Sequence, residues 1–217
     1  PGPVPATGTP LASGTAAAAQ PPVLFVHGLS YFSYDWVAFG ERLCTDRPGC
    51  AMDMRGFGDS TESPSKDYSV PTMANDIGNL LGHLGWQRSV IVAHSMGGRI
   101  ATTFAAAHPD LVAGLVLVDW SPENAPEGTM RVAKAVAGVP DAFPSVDAAM
   151  AYFGSDPHAP SGESTRQRFE AYLRPVAGGY EVKRSHHYRD QFRRMLETGE
   201  KARHGVDLWE RLGHVSA

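Results

Sequence analysis

One segment organises the chain: Arg88-Ser89-Val90-Ile91-Val92-Ala93-His94-Ser95-Met96-Gly97-Gly98-Arg99-Ile100. The β-branched run at 90–92 predicts a buried strand, and the spacing of Ile100, Phe104 and Ala107 predicts a helix after it. A strand that turns directly into a helix around a serine is the arrangement called a nucleophile elbow. The alternative is an ordinary strand–helix turn that happens to contain Ser95.

Small residues stand on both sides of Ser95. Ala93 precedes it, and Gly97 and Gly98 follow it. A strained backbone at a serine needs neighbours without bulk, and these residues supply that condition. Such a turn would hold the hydroxyl clear of the sheet. It would also direct the N–H of Met96, at the start of the next helix, toward a developing oxyanion.

The composition excludes several classes of partner. Nineteen basic and 23 acidic residues give the 217-residue chain a net charge of −4, whereas nucleic acids and anionic membranes favour basic proteins. No apolar run approaches the ~18 residues of a membrane span, and no segment resembles a signal peptide. Cys44 and Cys50 do not make a disulfide framework. We therefore expect a cytoplasmic protein with reduced thiols, no nucleic-acid partner and no membrane partner.

Apolar strands alternate with amphipathic helices in the first half of the chain. A helix is predicted over 70–84, and strands are predicted at 23–26, 49–52, 89–93 and 114–118. This alternation is typical of an α/β fold with a mostly parallel, doubly wound sheet and helices on both faces.

The strand pattern divides the chain into four segments. Residues 1–20 read as a flexible lead-in and 21–120 as the α/β core. Prolines divide the region 121–205 into helices and loops without a further strand pattern, so it reads as an inserted helical segment. Residues 206–217 read as a segment that returns toward the core.

Three motifs, taken in order, resemble those of the α/β-hydrolase superfamily. His27-Gly28 follows the first buried strand, as the oxyanion loop does. The run Asp53-Met54-Arg55-Gly56-Phe57-Gly58-Asp59-Ser60 resembles the loop Asp-x-Arg-Gly-x-Gly-x-Ser of esterase-like members. The run His94-Ser95-Met96-Gly97-Gly98 resembles the nucleophile elbow, with Ala93 in place of the first elbow glycine. The resemblance covers 22–119 and implies a sheet of the α/β-hydrolase type, with 121–205 as its helical cap.

The resemblance also implies roles for individual residues. Ser95 would be the nucleophile, and the backbone N–H groups of Leu29 and Met96 would form the oxyanion hole. His27 and Gly28 would belong to the oxyanion loop, where we expect the His27 side chain to make a hydrogen bond that shapes the turn.

The acid and the base of a catalytic triad are less well defined. The family order is serine, acid, histidine, and the last two usually follow strands that come after the cap. The sequence ends where the first of those strands should begin, so we expect a truncated chain whose catalytic histidine lies beyond residue 217. Asp119 ends the strand after the elbow helix, where some members place the triad acid and others a structural Asp that hydrogen-bonds the loop into the cap. Both roles stay open, with the structural one favoured. His94 should point away from Ser95, because side chains alternate along a strand.

Other polar groups have simpler interpretations. Asp53, Arg55 and Asp59 are expected to pin loops through charges and hydrogen bonds. The basic segment 183–194 is interpreted as a solvated helix face, with an Arg that holds a substrate carboxylate as the alternative. The sequence shows no metal-ligand spacing, so we predict no metal and no cofactor.

The sequence therefore predicts a serine hydrolase that cleaves a carboxylic ester, with a small-molecule ester or acyl compound as its partner. C–C bond hydrolysis and acyl transfer to an alcohol are alternatives in the same fold. A non-catalytic binding protein is an alternative if the chain is complete. Within this family, dehalogenases and epoxide hydrolases usually use a carboxylate nucleophile, so a serine argues against them. Assembly into a homo-oligomer stays open.

Overall fold

The computed structural model describes residues 8–10, 20–159, 162–200 and 205–216, and the chain divides into two units. Unit 1 consists of Pro1–Thr129 and Lys201–Ala217, and unit 2 consists of Met130–Glu200. Each unit has a hydrophobic core of its own.

Unit 1 is built on a sheet whose described strands are β1 (Gly8–Pro10), β2 (Val23–Val26), β3 (Gly49–Met52), β4 (Ser89–His94) and β5 (Val112–Val118). Their order across the sheet is β1-β3-β2-β4-β5, and all neighbours except β1 and β3 are parallel. The four predicted strands and the parallel sheet are confirmed. Since parallel strands share a direction, the carboxyl ends of β2, β4 and β5 lie side by side at one edge.

The centre of the sheet is buried on both faces. Every residue of β2 and of β3 is buried, which is the pattern of strands covered on both sides. Val23, Phe25 and Val92 belong to one core cluster, against which Trp36 packs. Burying a side chain of this size contributes about 1.5–3 kcal/mol, so these strands form a rigid support for the loops at their ends.

The described α-helices of the chain are α1 (Val37–Leu43), α2 (Val70–Leu84), α3 (Met96–Ala107), α4 (Pro126–Ala137), α5 (Val146–Tyr152), α6 (Gly162–Tyr172), α7 (His186–Thr198) and α8 (Leu208–Gly213). The predicted helix over 70–84 is confirmed as α2. Pro71 sits in its first turn, where a missing N–H breaks no helical hydrogen bond. Gly85 ends the helix in the left-handed conformation, with φ of 68°.

The strand β1 lies in the segment predicted as a flexible lead-in. It pairs antiparallel with β3 and places Pro10 opposite Cys50. A proline fits there because β1 is at the edge of the described sheet, where one side of the strand needs no ladder hydrogen bond. The rest of the predicted lead-in, at 1–7 and 11–19, lies outside the described residues.

Unit 2 contains helices, as predicted, and also a β-hairpin that the sequence did not predict. Strands β6 (Leu173–Val176) and β7 (Gly179–Val182) pair antiparallel around a turn in which Gly178 has φ of 89°. The backbone groups of Phe143 and Tyr180 exchange hydrogen bonds of 2.7 and 2.8 Å and tie the hairpin to a preceding loop. The strands are four residues long and carry charged side chains and a proline, so their apolar alternation is too weak to read in sequence.

None of the described helices is long and apolar enough to cross a membrane. Cys44 and Cys50 are buried free thiols, in agreement with the predicted reduced state. Burial raises the pKa of the Cys50 thiol to about 11, which makes it a poor nucleophile.

Candidate active site

The three predicted site segments meet at one edge of the sheet. His27, Ser95 and Asp119 follow or end the parallel strands β2, β4 and β5. Within the sheet Val26 is opposite Ala93, and His94 is opposite Val118. The backbone N–H of Ser95 donates a hydrogen bond of 3.0 Å to the carbonyl oxygen of Val118. Ser95 and Asp119 therefore lie next to each other, just beyond the last paired residues.

Ser95 has the strained backbone expected of a nucleophile elbow. Its φ is 50° and its ψ is −114°, a combination that a residue with a side chain rarely adopts. Ser95 occupies the N-cap position of α3 but makes no side-chain capping hydrogen bond. The hydroxyl is therefore not engaged at the helix end. The predicted strand–turn–helix geometry is confirmed; the nucleophilic role of Ser95 stays a prediction.

Gly97 and Gly98, which follow Ser95, have no room for a side chain because other residues lie close to their backbone. A Cβ on Gly97 would lie 2.6 Å from the carbonyl oxygen of His27 and 2.8 Å from that of Val26. A Cβ on Gly98 would lie 2.7 Å from the ring of Trp120. The start of α3 thus touches the end of β2, and only glycine allows that contact. This brings the elbow and the oxyanion loop together.

The two predicted oxyanion donors lie at this contact. Met96 is the first residue of α3, so its N–H has no acceptor within the helix and lies at the positive end of the helix dipole. Leu29 lies inside a turn in which the N–H of Tyr31 donates to the carbonyl oxygen of Gly28 over 3.2 Å. The structure brings both segments to the same edge; their role as an oxyanion hole stays a prediction.

The His27 side chain makes the loop-shaping hydrogen bonds expected of it, while the role of this loop as an oxyanion loop stays a prediction. Its Nε2 accepts a hydrogen bond of 3.0 Å from the N–H of Met54. Its Nδ1 lies 2.8 Å from the carbonyl oxygen of Gly28 and must carry the proton, because Nε2 already acts as an acceptor. Burial lowers the pKa of His27, and the bond to Gly28 and the charge of Asp53 oppose that change only in part. The buried imidazole is therefore neutral and joins two loops.

Asp119 presents its carboxylate to solvent rather than to a buried partner. Its φ is 48° and its side chain is 89% exposed, with Oδ2 lying 3.8 Å from Nε2 of His94. The structural role expected for Asp119 is a hydrogen bond that ties its loop to the cap. Whether Asp119 is the triad acid or a structural residue stays a prediction.

The expected orientation of His94 is wrong. A Cβ on Gly28 would lie 2.6 Å from Nδ1 of His94 and 3.2 Å from Cβ of Ser95. The imidazole and the serine side chain therefore flank the same point of the oxyanion loop. Neighbouring side chains point to opposite faces only while the backbone is extended. The backbone of Ser95 has a positive φ and is no longer extended, so the alternation does not apply to this pair.

The motif at 53–60 connects loops through hydrogen bonds, as predicted. The partner of Arg55 within it was not predicted from the sequence. The Asp53 carboxylate accepts hydrogen bonds from the N–H groups of Ser33 and Asp59, at 2.8 and 3.2 Å. Arg55 instead forms a bidentate pair with Asp76 of α2, with both distances 2.6 Å. The position of Asp76 among the buried residues of α2 was the available signal, since a buried carboxylate needs a partner.

The basic segment at 183–194 is only partly a solvated face. Within unit 2, Arg184 and Arg189 are each about nine-tenths buried. Arg189 pairs with Asp141, and burial lowers the pKa of Arg184 to about 10. The interpretation as a solvated face is therefore wrong at these two positions. Across the described ranges, no group of three His, Cys, Asp or Glu residues is arranged to hold a metal ion.

The known proteins that resemble this chain include hydrolases and a family model of the same fold. Residues 21–202 match the sequence model of the family described as the alpha/beta hydrolase fold. The 2-(acetamidomethylene)succinate hydrolase of Mesorhizobium japonicum is 32% identical over 160 residues, which cover 73% of this chain and 57% of that protein. The sn-1-specific diacylglycerol lipase ABHD11 of Danio rerio is 39% identical over 103 residues, which cover 46% of this chain and 32% of the lipase.

A solved structure extends the likeness over nearly the whole chain. The crystal structure of E-2-(acetamidomethylene)succinate hydrolase matches with a TM-score of 0.77 at 29% identity, over 97% of this chain and 73% of that one. The sequence match spans 57% of the Mesorhizobium hydrolase and a third of the lipase, so the chain corresponds to part of their length. The parallel sheet, the elbow at Ser95 and the match over 21–202 together show that the chain belongs to the alpha/beta hydrolase fold family.

Proposed function

We propose that this protein is a serine hydrolase that cleaves a carboxylic ester through an acyl-enzyme on Ser95. The observation that carries the proposal is the backbone of Ser95, which has φ of 50° at the junction of β4 and α3. Strain of this kind persists only where the surroundings enforce it, and here Gly97 and Gly98 make room for it. A partly exposed serine on such a turn is placed for attack on a carbonyl.

The proposed reaction follows from the groups around Ser95. The hydroxyl oxygen bonds to the acyl carbon while a general base takes its proton, and the carbonyl electron pair moves onto oxygen. The N–H groups of Met96 and Leu29 stabilise that oxyanion. The alcohol then leaves with a proton, and water releases the acid from Ser95 in a second, equivalent step. The family resemblance supplies that base as a histidine.

We assign Asp119 to the triad acid within this proposal. Its position directly after β5, its positive φ and its exposed carboxylate support the assignment. A triad acid fixes the tautomer of the histidine and stabilises the imidazolium that forms.

A second substrate class is favoured by one relative. The name of the Mesorhizobium hydrolase denotes an N-acetylated enamine that carries two carboxylates, and its likeness extends over 73% of this chain in sequence and 97% in structure. The same nucleophile and oxyanion hole would act on an acylated amine. C–C bond hydrolysis and acyl transfer stay alternatives of the same fold. A carboxylate nucleophile is absent from the elbow, so epoxide opening is disfavoured.

The test is turnover by the full-length protein on a panel of chromogenic esters of increasing acyl length, an N-acyl enamine dicarboxylate and an epoxide. Ester turnover that disappears in Ser95→Ala and persists in the control Ser69→Ala would support the proposal. Hydrolysis of the dicarboxylate alone would mean that the substrate is an N-acyl enamine dicarboxylate and not an ester. Turnover of the epoxide, or ester turnover that survives Ser95→Ala in a folded protein, would overturn it.

A further inference from the structure

The imidazole of His94 lies between Asp119 and the loop that contains Gly28 and Tyr31. Its side chain is 17% exposed and its Nε2 faces the carboxylate of Asp119 at 3.8 Å. Its ring meets that of Tyr31 edge to face, with 4.7 Å between centroids. Its Nδ1 fills the space in which Gly28 has no side chain. The side chain thus lies between two segments of this edge, residues 28–31 and the residue that follows β5.

Two contacts restrain the ring on the side of the loop 28–31. Tyr31 packs against it from the oxyanion loop, and a Cβ on Gly28 would lie 2.6 Å from Nδ1, so the ring cannot shift toward that loop. The opposite side of the ring, with Nε2, faces the carboxylate of Asp119. At 3.8 Å the contact is an electrostatic one rather than a hydrogen bond, and it can shorten if the carboxylate moves.

We propose that His94 is a positioning residue that holds the Asp119 carboxylate and the oxyanion loop in place beside Ser95. This inference rests on the proposed function for its catalytic consequence. The Asp119 side chain is 89% exposed, and the described residues within ion-pair distance of it are limited to His94. Without that contact a carboxylate on a positive-φ residue would sample several rotamers. A misplacement of about 1 Å in a catalytic group can slow a reaction by ~100-fold.

The charge state of His94 is consistent with this role. Burial lowers the pKa of His94, and the carboxylates of Asp119 and Asp35 raise it in part. Among the described residues, the phenol of Tyr31 and the imidazole of His27 also lie near the ring, and burial lowers the pKa of His27. A proton on Nε2 would direct an N–H dipole at Asp119 without neutralising the carboxylate.

The first test measures the contact without any assay of activity. NMR titration of the His94 ring in the full-length protein is compared with that of Asp119→Asn. Removing the negative charge removes a group that raises the pKa of His94, so that pKa should fall in the variant. Asp110→Asn, in an exposed turn of unit 1, is the matched control and should leave it unchanged. A His94 pKa that stays the same or rises in Asp119→Asn would overturn the proposal.

The second test separates positioning from folding. Gln places a side-chain N–H near the Nε2 position of His, whereas Phe keeps the ring contact with Tyr31 but has no N–H. We expect His94→Phe to lower kcat by about 10- to 100-fold with KM within threefold, and His94→Gln to restore most of kcat. Equal kcat in wild type and a folded His94→Phe would overturn the role. If wild type turns over no ester at all, the proposed function fails, while the titration still decides whether His94 holds Asp119.

Discussion

The N–H of Ser95 donates a hydrogen bond of 3.0 Å to the carbonyl oxygen of Val118. This bond extends the ladder between β4 and β5 by one residue beyond the strands. It fixes the serine beside Asp119, and both residues have positive φ, 50° and 48°. Among the described non-glycine residues, only Lys66 shares that feature. Among the described residues, strained backbone is therefore concentrated where the proposed nucleophile and the proposed acid lie side by side.

Asp119→Asn should separate catalysis from stability. If Asp119 is the triad acid, kcat should fall by roughly 10⁴-fold because the histidine loses control of its tautomer. The side chain is 89% exposed, so the free energy of unfolding should change by less than about 0.5 kcal/mol. The measurements are steady-state kinetics and urea unfolding of the full-length protein, with Asp110→Asn as a control. Normal turnover with a clear loss of stability would restore the structural interpretation of Asp119.

Gly97→Ala should destabilise the protein and disturb the elbow. The added Cβ would meet two backbone carbonyl oxygens at 2.6 and 2.8 Å, and overpacking of this kind costs about 1–3 kcal/mol. Gly82→Ala is the matched control, because a Cβ there meets nothing within 4 Å on the helix α2. That substitution should stabilise by roughly 0.5–1 kcal/mol. Equal effects of the two substitutions in denaturant unfolding would argue against the close approach of α3 to β2.

The neutral state of His27 predicts a pH dependence of stability. Burial lowers its pKa below the ordinary value of 6.5, so the unfolded chain binds a proton at a pH where the folded chain does not. The stability it contributes is complete above pH 6.5 and is lost as the pH falls toward the folded pKa, by at most ~1.4 kcal/mol per pH unit.

Unfolding curves between pH 7.5 and pH 5 test this dependence. His27→Gln should be less stable than wild type by about 1–3 kcal/mol at pH 7.5, because the N–H of Met54 loses a well-placed acceptor. It should also lose less stability on acidification. The exposed His83→Gln should keep the wild-type slope. A slope that is the same in all three proteins would mean that His27 is not the group responsible.

The pair between Arg55 and Asp76 should matter more than a surface pair. Both side chains are nearly buried, at 11% and 8% exposure, and both contacts are 2.6 Å. Removing one charge leaves the other uncompensated, so Asp76→Asn should lower stability by about 3–5 kcal/mol. Asp46→Asn breaks an exposed pair with Arg47 and should lower the stability far less, because water screens that pair. Similar losses in thermal or urea unfolding would contradict the assignment of this pair as a structural anchor.

The parts of the fold that follow a local pattern were predictable. The strands β2 and β4 are continuous apolar runs, and α2 has a regular apolar face between a proline and a glycine. The elbow was predictable because its glycines are a requirement of backbone geometry, which the sequence shows directly.

The features that depend on tertiary contacts could not be predicted from the sequence. The hairpin β6–β7 is too short and too polar to show a period. The partner of Arg55 lies 21 residues away on another element. The orientation of His94 could not be read from strand alternation, because the alternation ends at a backbone distortion that only the folded chain defines. The exposure of Asp119 likewise depends on which loops surround it.

The most direct measurement is covalent labelling of the full-length protein with a fluorophosphonate, followed by peptide mass spectrometry. The proposed mechanism predicts a single adduct on Ser95, formed at a rate that falls in Asp119→Asn and absent in a folded Ser95→Ala. The control Ser69→Ala should label like wild type. An adduct on another residue, or unchanged labelling of Ser95→Ala, would show that Ser95 is not the nucleophile.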